Sequence, residues 1–236
     1  NVFREKPELV KLRYDLIAEE IRELNEDGFN AKNFTEVVDA LSDILYVVYG
    51  AGCSVGLDLD SSFEIYCALK MTSNVEKLKD LSNFERVKIT NTDFSDKIVS
   101  NLFDNATHSE YIKDKYLPNL DKELKSLLRY IKKSDLSKVR NCLIKLLDIT
   151  YSIGCELGIN LDESFDIVHN SNMSKLCKDE EESKQTVKWY EENENRYDSP
   201  TYRKSHDEKY YVMFNKSTGK ILKSINYKPA NFTTMF

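Results

Sequence analysis

The sequence contains one stretch twice. Residues 36–66 and 138–168 align without a gap at an offset of 102 positions. Such internal similarity marks a supersecondary unit that buries its apolar face against a neighbouring copy, so the two stretches are predicted to fold alike and pack together. Identical residues occupy both copies at Tyr49 and Tyr151, Gly52 and Gly154, Cys53 and Cys155, Gly56 and Gly158, Asp60 and Asp162, and Phe63 and Phe165.

Each copy is predicted to be a helix, a short turn and a second helix. Leu, Val and Ile recur at i, i+3, i+4 and i+7 up to a Gly-x-x-x-Gly, whose small residues let two helices approach closely. Asp60 and Asp162 follow an apolar residue and are the expected caps of the second helix. A further helix is predicted before each copy, over residues 8–26 and about 117–133.

The whole chain is predicted to be all-α with a small C-terminal β-hairpin. Only 7 Gly and 4 Pro are available for tight turns, whereas Leu, Lys, Glu and Ile dominate. Beyond Pro200, alternating β-forming residues flank an Asn-Lys-Ser-Thr-Gly turn, which indicates the hairpin. The predicted organisation is a first repeat over 1–80, a connector over 81–110 with a helix near 94–103, a second repeat over 111–178, and a C-terminal extension over 179–236 that starts with an acidic helix.

Composition excludes several classes of function. A net charge of −6 offers no basic surface for a nucleic-acid polymer. The five cysteines lack metal-binding spacing, which favours a reducing, cytoplasmic setting. No apolar run approaches the length of a membrane span and no signal peptide is seen, so no membrane partner is expected. Dinucleotide-binding and P-loop glycine motifs are absent, as is zinc-type histidine spacing.

Acidic residues lie where apolar residues are expected on the first two helices. If these helices pack antiparallel, with Asn33 or Thr35 capping the second, the acids oppose one another in a small volume. Carboxylates held this close need cations, and Mg²⁺ prefers oxygen ligands. The six acids are Glu19, Glu20 and Glu23 on the first helix and Glu36, Asp39 and Asp43 on the second.

The second repeat helps to choose between a metal site and an ordinary solvated face. At the positions aligned with Glu36, Asp39 and Asp43 it carries Lys138, Asn141 and Lys145, whereas the residues that build the helices persist. If packing required acids, both copies would keep them. The acids are therefore separable from the fold, which favours a function in the first repeat.

The stretch EEIRE (19–23), twelve intervening residues and EVVD (36–39) form an ExxE…ExxD signature. With DALSDILYVVYGAG, GLDLDSSFE, VHNSNMSKL and TGKILKSINYKPANF, it resembles the all-α nucleoside triphosphate pyrophosphohydrolase superfamily, which includes MazG, phosphoribosyl-ATP pyrophosphohydrolases and dimeric dUTPases. The resemblance covers most of the chain except the connector and residues 178–208. It implies a tandem-duplicated MazG-like bundle, or fused pseudo-dimer, with one live site.

The resemblance also implies hydrolysis between the α and β phosphates of a nucleoside triphosphate. Glu20, Glu23, Glu36 and Asp39 would hold Mg²⁺, with Mn²⁺ as an alternative, and Glu19 would orient or deprotonate the attacking water. For Asp43, a contact to substrate and a solvated position both stay open. A dUTP-like pyrimidine is the preferred substrate; phosphoribosyl-ATP and a non-catalytic nucleotide-binding regulator are the alternatives.

Further residues match the superfamily's phosphate contacts. Asn172 and Lys175 match in the second repeat. In the first repeat Asn74 and Lys77 match if one helical turn is inserted, whereas without that gap Lys70 aligns with Asn172. Both alignments stay open. Lys220 and Lys223 of the hairpin are expected to close over the phosphates, and a homodimer of fused pseudo-dimers is a further expectation. These additional candidates are Asn74, Lys77, Asn172, Lys175 and Lys223.

Overall fold

A computed structural model describes residues 2–79 and 106–235, with side chains described outside 72–108. The predicted connector helix near 94–103 lies outside the described residues. The chain divides into two compact units, one running to Phe165 and one comprising Asp166–Thr234. The described part is helical apart from one small antiparallel hairpin, so the predicted all-α class with a β-hairpin is confirmed.

Two helical hairpins form the frame of the first unit. The helices are α1 (Val2–Glu5), α2 (Pro7–Glu23), α3 (Phe34–Ser54), α4 (Leu59–Lys79), α5 (Ala106–Lys132) and α6 (Leu136–Leu157), and α7 (Leu161–Met173) begins in this unit. α2 packs on α3, α5 packs on α6, and α3 and α6 contact each other. Fully buried residues such as Ile17, Leu41, Leu120 and Leu147 fill the space between them, as the helical spacing of apolar residues predicts.

The helix caps are partly those predicted. The side chain of Asn33 accepts a hydrogen bond from the Glu36 N–H and so caps α3, one of the two predicted candidates. The predictions for Asp60 and Asp162 are wrong. The second helices begin one residue before them, and the caps are Asp58, which accepts from the Ser61 N–H at 3.1 Å, and Asn160, which accepts from the Glu163 N–H at 3.3 Å. A capping side chain must precede the first helical residue, which Asp60 and Asp162 do not. Both lie in the first turn, where a negative charge complements the helix dipole.

Each repeat contains two glycines at the same spacing, and the two glycines have separate physical roles. A Cβ on Gly52 would lie 2.5 Å from Leu59 Cδ1, and a Cβ on Gly154 would lie 2.5 Å from Leu161 Cδ1, so each glycine lets the next helix approach closely. Gly56 and Gly158 adopt φ of +75° and +69°, the left-handed conformation that commonly ends a helix. The short turn between the two helices therefore depends on these positions.

Aromatic contacts within the first unit follow the repeat. Phe63 of the first repeat stacks on Tyr151 of the second at 5.6 Å between ring centroids. Phe165 of the second repeat meets Tyr49 of the first at 6.0 Å. These contacts are reciprocal and keep the offset of 102 residues. Each repeat therefore places the aromatic residue of its second helix against the first helix of the other repeat.

The second unit contains the end of α7, α8 (Glu180–Asn193) and the hairpin of β1 (Pro200–Lys204) and β2 (Tyr211–Asn215). Its core comprises Cys177, Tyr190, Met213 and Leu222. The predicted reversal at 215–219 is present, with the Asn215 N–H donating to the Lys220 carbonyl at 2.8 Å. It does not join the two named strands, β1 and β2, which are connected through residues 205–210. The chain reverses at Gly219 (φ +71°), and beyond it a bridge joins Phe214 and Ile221 and the Leu222 N–H donates to the Met213 carbonyl at 2.9 Å. The Asn215 side-chain amide donates hydrogen bonds to Asp198, Ser217 and Thr218. These bonds hold the second reversal as a polar loop.

One described helix, α3, is long and apolar enough to cross a membrane by length and composition alone. It differs from the sequence expectation that no such stretch occurs. However, 61% of its most apolar stretch is buried within the protein, and the helix carries the three acids Glu36, Asp39 and Asp43. These properties are typical of the central helix of a packed bundle.

Candidate active site

The six predicted acids lie on two helices that pack together. α2 carries three of them and ends at Glu23, and α3 carries the other three from its first turn onward. The Asn33 cap fixes where α3 begins and therefore which of its residues face α2. Glu20, Glu23, Asp39 and Asp43 are partly buried, whereas Glu19 and Glu36 are exposed.

Glu20 is the most perturbed of these acids. Its Oε2 atom is buried and has no hydrogen-bond partner among the described residues. Burial, followed by the negative charges of Asp43, Glu23, Glu19 and Asp39, raises the pKa of Glu20 from 4.5 to about 8. The structure therefore places Glu20 within the electric field of acids from both helices, as the sequence spacing predicts.

The pKa of Glu23 is also raised, but less than that of Glu20. Burial raises its pKa, Glu19 adds to the effect, and the positive charge of Arg22 opposes it. Arg22 is 3.7 Å from Glu23 Oε1 but donates a hydrogen bond of 2.8 Å to Glu26. The Arg22 guanidinium is therefore hydrogen-bonded to an exposed residue of the turn that follows α2, and it only partly offsets the negative charge around Glu23.

The donor atoms fit a divalent cation in chemistry, although they do not form a closed shell. Within residues 2–71 and 109–235, no three His, Cys, Asp or Glu side chains are gathered into a complete metal-binding group. A buried, unpaired carboxylate oxygen costs several kcal/mol, so the unpartnered Glu20 Oε2 is a position that a positive charge would stabilise. All the surrounding donors are carboxylates, which are the ligands that Mg²⁺ prefers.

The chain between α2 and α3 contains a feature that sequence reasoning missed. Residues Leu24–Asn30 form a π-helical turn directly after Glu23, where a continuous α-helix to residue 26 was predicted. A π turn accommodates one extra residue and is frequent at functional sites. Its signal was present in the repeat. The buried residues Ile17 and Leu24 correspond to Leu120 and Leu127 at an offset of 103, whereas α3 and α6 correspond at 102.

Comparison with known proteins agrees with this geometry. The phosphoribosyl-ATP pyrophosphohydrolase (PRA-PH) family matches residues 3–66, which include all six acids. A protein of Acanthamoeba polyphaga mimivirus, named only as Uncharacterized protein L479, is 35% identical over 237 residues, covering 100% of this chain and 86% of the relative. No solved structure matches.

The chain belongs to the all-α NTP pyrophosphohydrolase superfamily. The matching family is a family of pyrophosphohydrolases. The matched residues 3–66 fall on the first repeat, where the acids lie. The second repeat lies beyond the matched residues, in keeping with its loss of the ExxD acids.

The remaining predicted contacts of this superfamily member are distributed over both units. In the second unit, Lys175 Nζ donates a hydrogen bond of 2.5 Å to Asn172 Oδ1, so the two predicted phosphate contacts are neighbours. Lys223 Nζ lies 4.1 Å from the centroid of the Tyr227 ring, and the Lys223 N–H donates to the Tyr190 hydroxyl. Their role toward a phosphate stays a prediction.

The alternatives on α4 differ in what the structure describes. Asn74 and Lys77 lie on α4, but their side chains are outside the described part. Lys70, the other alignment candidate, forms an ion pair of 2.6 Å with Asp148 of α6, which also accepts a hydrogen bond from Tyr66. Lys70 therefore has a structural partner in the second repeat.

Proposed function

We propose that this protein is a Mg²⁺-dependent nucleoside triphosphate pyrophosphohydrolase that converts a (d)NTP and water to a (d)NMP and pyrophosphate. Superfamily membership supports the reaction class, and the acids of α2 and α3 support the metal dependence. Mn²⁺ is the expected substitute for Mg²⁺, since it shares a preference for oxygen ligands.

The observation that carries the proposal is a contrast between two glutamates. Glu123 in the second repeat corresponds to Glu20 at the offset of 103; it is buried, at 8% exposure, whereas Glu20 is partly buried with a buried Oε2 atom. Glu123 is paired with Lys145 at 3.2 Å. Glu20 instead faces Asp43, the residue that corresponds to Lys145, and its Oε2 has no hydrogen-bond partner within the described part of the chain. The second repeat shows that this position can hold a lysine, yet the first repeat holds a second acid there. Two carboxylates at such close range are stabilised when a cation binds between them.

The residues proposed to hold Mg²⁺ are Glu20, Glu23, Glu36 and Asp39. When bound, the ion would neutralise phosphate charge and lower the pKa of a bound water. Glu19 is exposed and adjacent to Glu20, so it can reach a water molecule at the edge of this cluster. Asp43 is proposed to position the metal-bound phosphates of the substrate, since it lies near Glu20 and one helical turn beyond Asp39 on α3.

The proposed reaction is a displacement at phosphorus by water. The water oxygen forms a bond to one of the two phosphorus atoms that flank the α–β bridging oxygen. The bond between that phosphorus and the bridging oxygen breaks, and the electron pair stays on the bridging oxygen. Glu19 accepts the water proton. Pyrophosphate and the nucleoside monophosphate then leave as separate anions.

A nucleotide panel tests the reaction. Purified protein with Mg²⁺ should release pyrophosphate from a nucleoside triphosphate, measured by ³¹P NMR, and orthophosphate as the first product would eliminate the proposed bond. Glu19→Gln should lower kcat by at least about 100-fold, since general-base catalysis contributes this much or more. Glu191→Gln removes an equally exposed carboxylate in α8 and should leave kcat unchanged.

The same panel addresses the substrate. A dUTP-like pyrimidine nucleotide is our preferred substrate, and phosphoribosyl-ATP is the second candidate because the PRA-PH family matches residues 3–66. The higher kcat/KM of the two decides between them. Tight nucleotide binding without turnover of any substrate would instead favour a non-catalytic regulator. A cytoplasmic location and a homodimer are part of the same proposal, and light scattering tests the dimer.

A further inference from the structure

The second repeat replaces the acids of the first with a different charge. Positions on α5 correspond to α2 at the offset of 103, and positions on α6 correspond to α3 at 102. A further hydrogen bond supports this correspondence, since Arg13 donates to Ser54 and the equivalent Tyr116 donates to Glu156. At the places of the six acids, in the same order, stand Lys122, Glu123, Ser126, Lys138, Asn141 and Lys145.

These residues line a groove of about 470 Å³ between α5 and α6. Four cationic side chains, Lys122, Arg129, Lys138 and Lys145, line it together with one acid, Glu123. The volume lies within the range of small-molecule binding sites. A concave surface that concentrates one sign of charge raises the local concentration of oppositely charged ligands.

Three of the four cations have no carboxylate partner among the residues whose side chains are described. Lys145 is paired with Glu123 at 3.2 Å. Arg129 and Lys138 instead converge on the ring of Tyr130, at 4.7 Å and 6.0 Å from its centroid. Throughout the part of the chain with described side chains, no carboxylate lies within ion-pair distance of these two residues or of Lys122. The convergence of two like charges on one ring is a position that a bound anion would stabilise.

Loss of a metal site alone does not explain this groove. A site that is no longer used needs only neutral replacements, yet three of six acidic positions carry lysine and a fourth cation, Arg129, joins them. Isolated surface lysines are usually solvated by water, but here the cations line one concavity. The inversion of charge at corresponding positions therefore indicates an anion rather than a cation as ligand.

We propose that this groove binds a polyphosphate anion without a divalent cation. The ligand is either inorganic pyrophosphate or the phosphate chain of a nucleotide. The Arg129 guanidinium can form two parallel hydrogen bonds to a phosphate, and the lysines add point charges. Tyr66 also lines the groove and offers an aromatic surface to a base. The protein would then hold two opposite sites in one doubled scaffold, one acidic and one basic.

Calorimetric titration in EDTA tests this proposal with pyrophosphate and dUTP as separate probes. Without metal, the acids of the first repeat repel both probes, so binding reports on the groove. One site per chain is expected, with affinity falling as salt rises. Lys122→Gln and Lys138→Gln, both exposed, should each weaken binding by about 10-fold, typical of one charge-assisted contact. Lys133→Gln removes an exposed charge outside the groove and should change nothing.

The outcomes separate the ligand sources and the failure of the proposal. Equal affinities for the two probes assign the groove to pyrophosphate. Tighter binding of dUTP that Tyr66→Leu reduces assigns it to a nucleotide. Absence of binding in EDTA overturns the proposal, as does an equal loss in Lys133→Gln and Lys138→Gln, which would indicate unspecific attraction. Circular dichroism confirms that each variant is folded, and no arm of the experiment requires turnover.

Discussion

The variant Glu20→Gln separates the charge of the Glu20 carboxyl from its shape, because glutamine has nearly the same volume and cannot ionise. In the folded protein without metal, burial and then the neighbouring acids raise the pKa of Glu20 from 4.5 to about 8. In the unfolded chain the carboxyl ionises near its ordinary pKa. Between these two values the folded protein holds a proton that the unfolded chain has released.

The sign of the pH dependence follows from this difference. The folded state binds more protons, so the free energy of unfolding falls as pH rises from about 4.5 through about 8. A pKa difference of this size corresponds to roughly 5 kcal/mol for a fully enclosed group. Glu20 is only partly buried, and solvent screening reduces the effect, so we expect about 1–2 kcal/mol.

Urea unfolding in EDTA at about pH 5 and about pH 8.5 measures this term. The stability of Glu20→Gln relative to the wild type should rise by about 1–2 kcal/mol between the two pH values. The signal should be far-UV circular dichroism. Trp189, the single tryptophan, lies in the second unit, whereas Glu20 lies in the first, so tryptophan fluorescence would report on a different part of the chain.

Glu123→Gln is the matched control. Glu123 is buried at the corresponding position but has Lys145 as a partner at 3.2 Å. Its replacement removes an ion pair and should destabilise the protein by roughly 1 kcal/mol, with no gain at the higher pH. Opposite effects of the two variants are therefore expected. If Glu20→Gln gains no relative stability between the two pH values, Glu20 does not lie in the field of the other acids, and the reasoning behind the metal site is refuted.

Three further predictions concern the proton on Glu20, the charge at Glu36 and the close helix approach at Gly52. Mg²⁺ binding near pH 7 should release about one proton per chain from the wild type and none from Glu20→Gln, because Glu20 must ionise to bind the cation; calorimetry in buffers of different ionisation enthalpy measures this, and equal release would contradict it. Glu36→Lys should keep its helical circular dichroism, and its turnover should fall by at least about 100-fold. The control Glu191→Lys should keep both properties, and unfolding of Glu36→Lys would make Glu36 structural. Gly52→Ala should destabilise the protein by about 1–3 kcal/mol in urea unfolding, because its new Cβ would lie 2.5 Å from a leucine carbon, whereas Gly50→Ala, which meets only the tip of an arginine at 3.2 Å, should cost clearly less.

Helix positions and the acidic face could be predicted because both depend on local spacing. The i, i+3, i+4 pattern placed α3 and α6, and the spacing of Glu36, Asp39 and Asp43 placed three acids on one side of α3. The Gly-x-x-x-Gly indicated close approach, and Gly52 does contact Leu59 of the next helix. In each case the side-chain direction follows from the helical period alone.

Other details could not be read in this way. The caps at Asp58 and Asn160 depend on where the first helical hydrogen bond forms, a choice between neighbouring polar residues of similar preference. The pairing of β1 with β2, in addition to the contact of β2 with the segment after Gly219, depends on long-range contacts of the second unit. The π turn at Leu24–Asn30 was hidden because an extra residue leaves the local pattern helical.

The sequence by itself determined that this chain is a doubled helical scaffold with acids in one copy and lysines in the other, since residue type and period are written along the chain. Only the tertiary structure decided that, among the described residues, Glu20 Oε2 is buried without a hydrogen-bond partner while Glu123 is paired with Lys145. Burial and pairing depend on which side chain of another helix comes within a few ångströms. That distance is set by the packing of α2 on α3 and of α5 on α6, which also decides that the basic residues of the second repeat line a single groove.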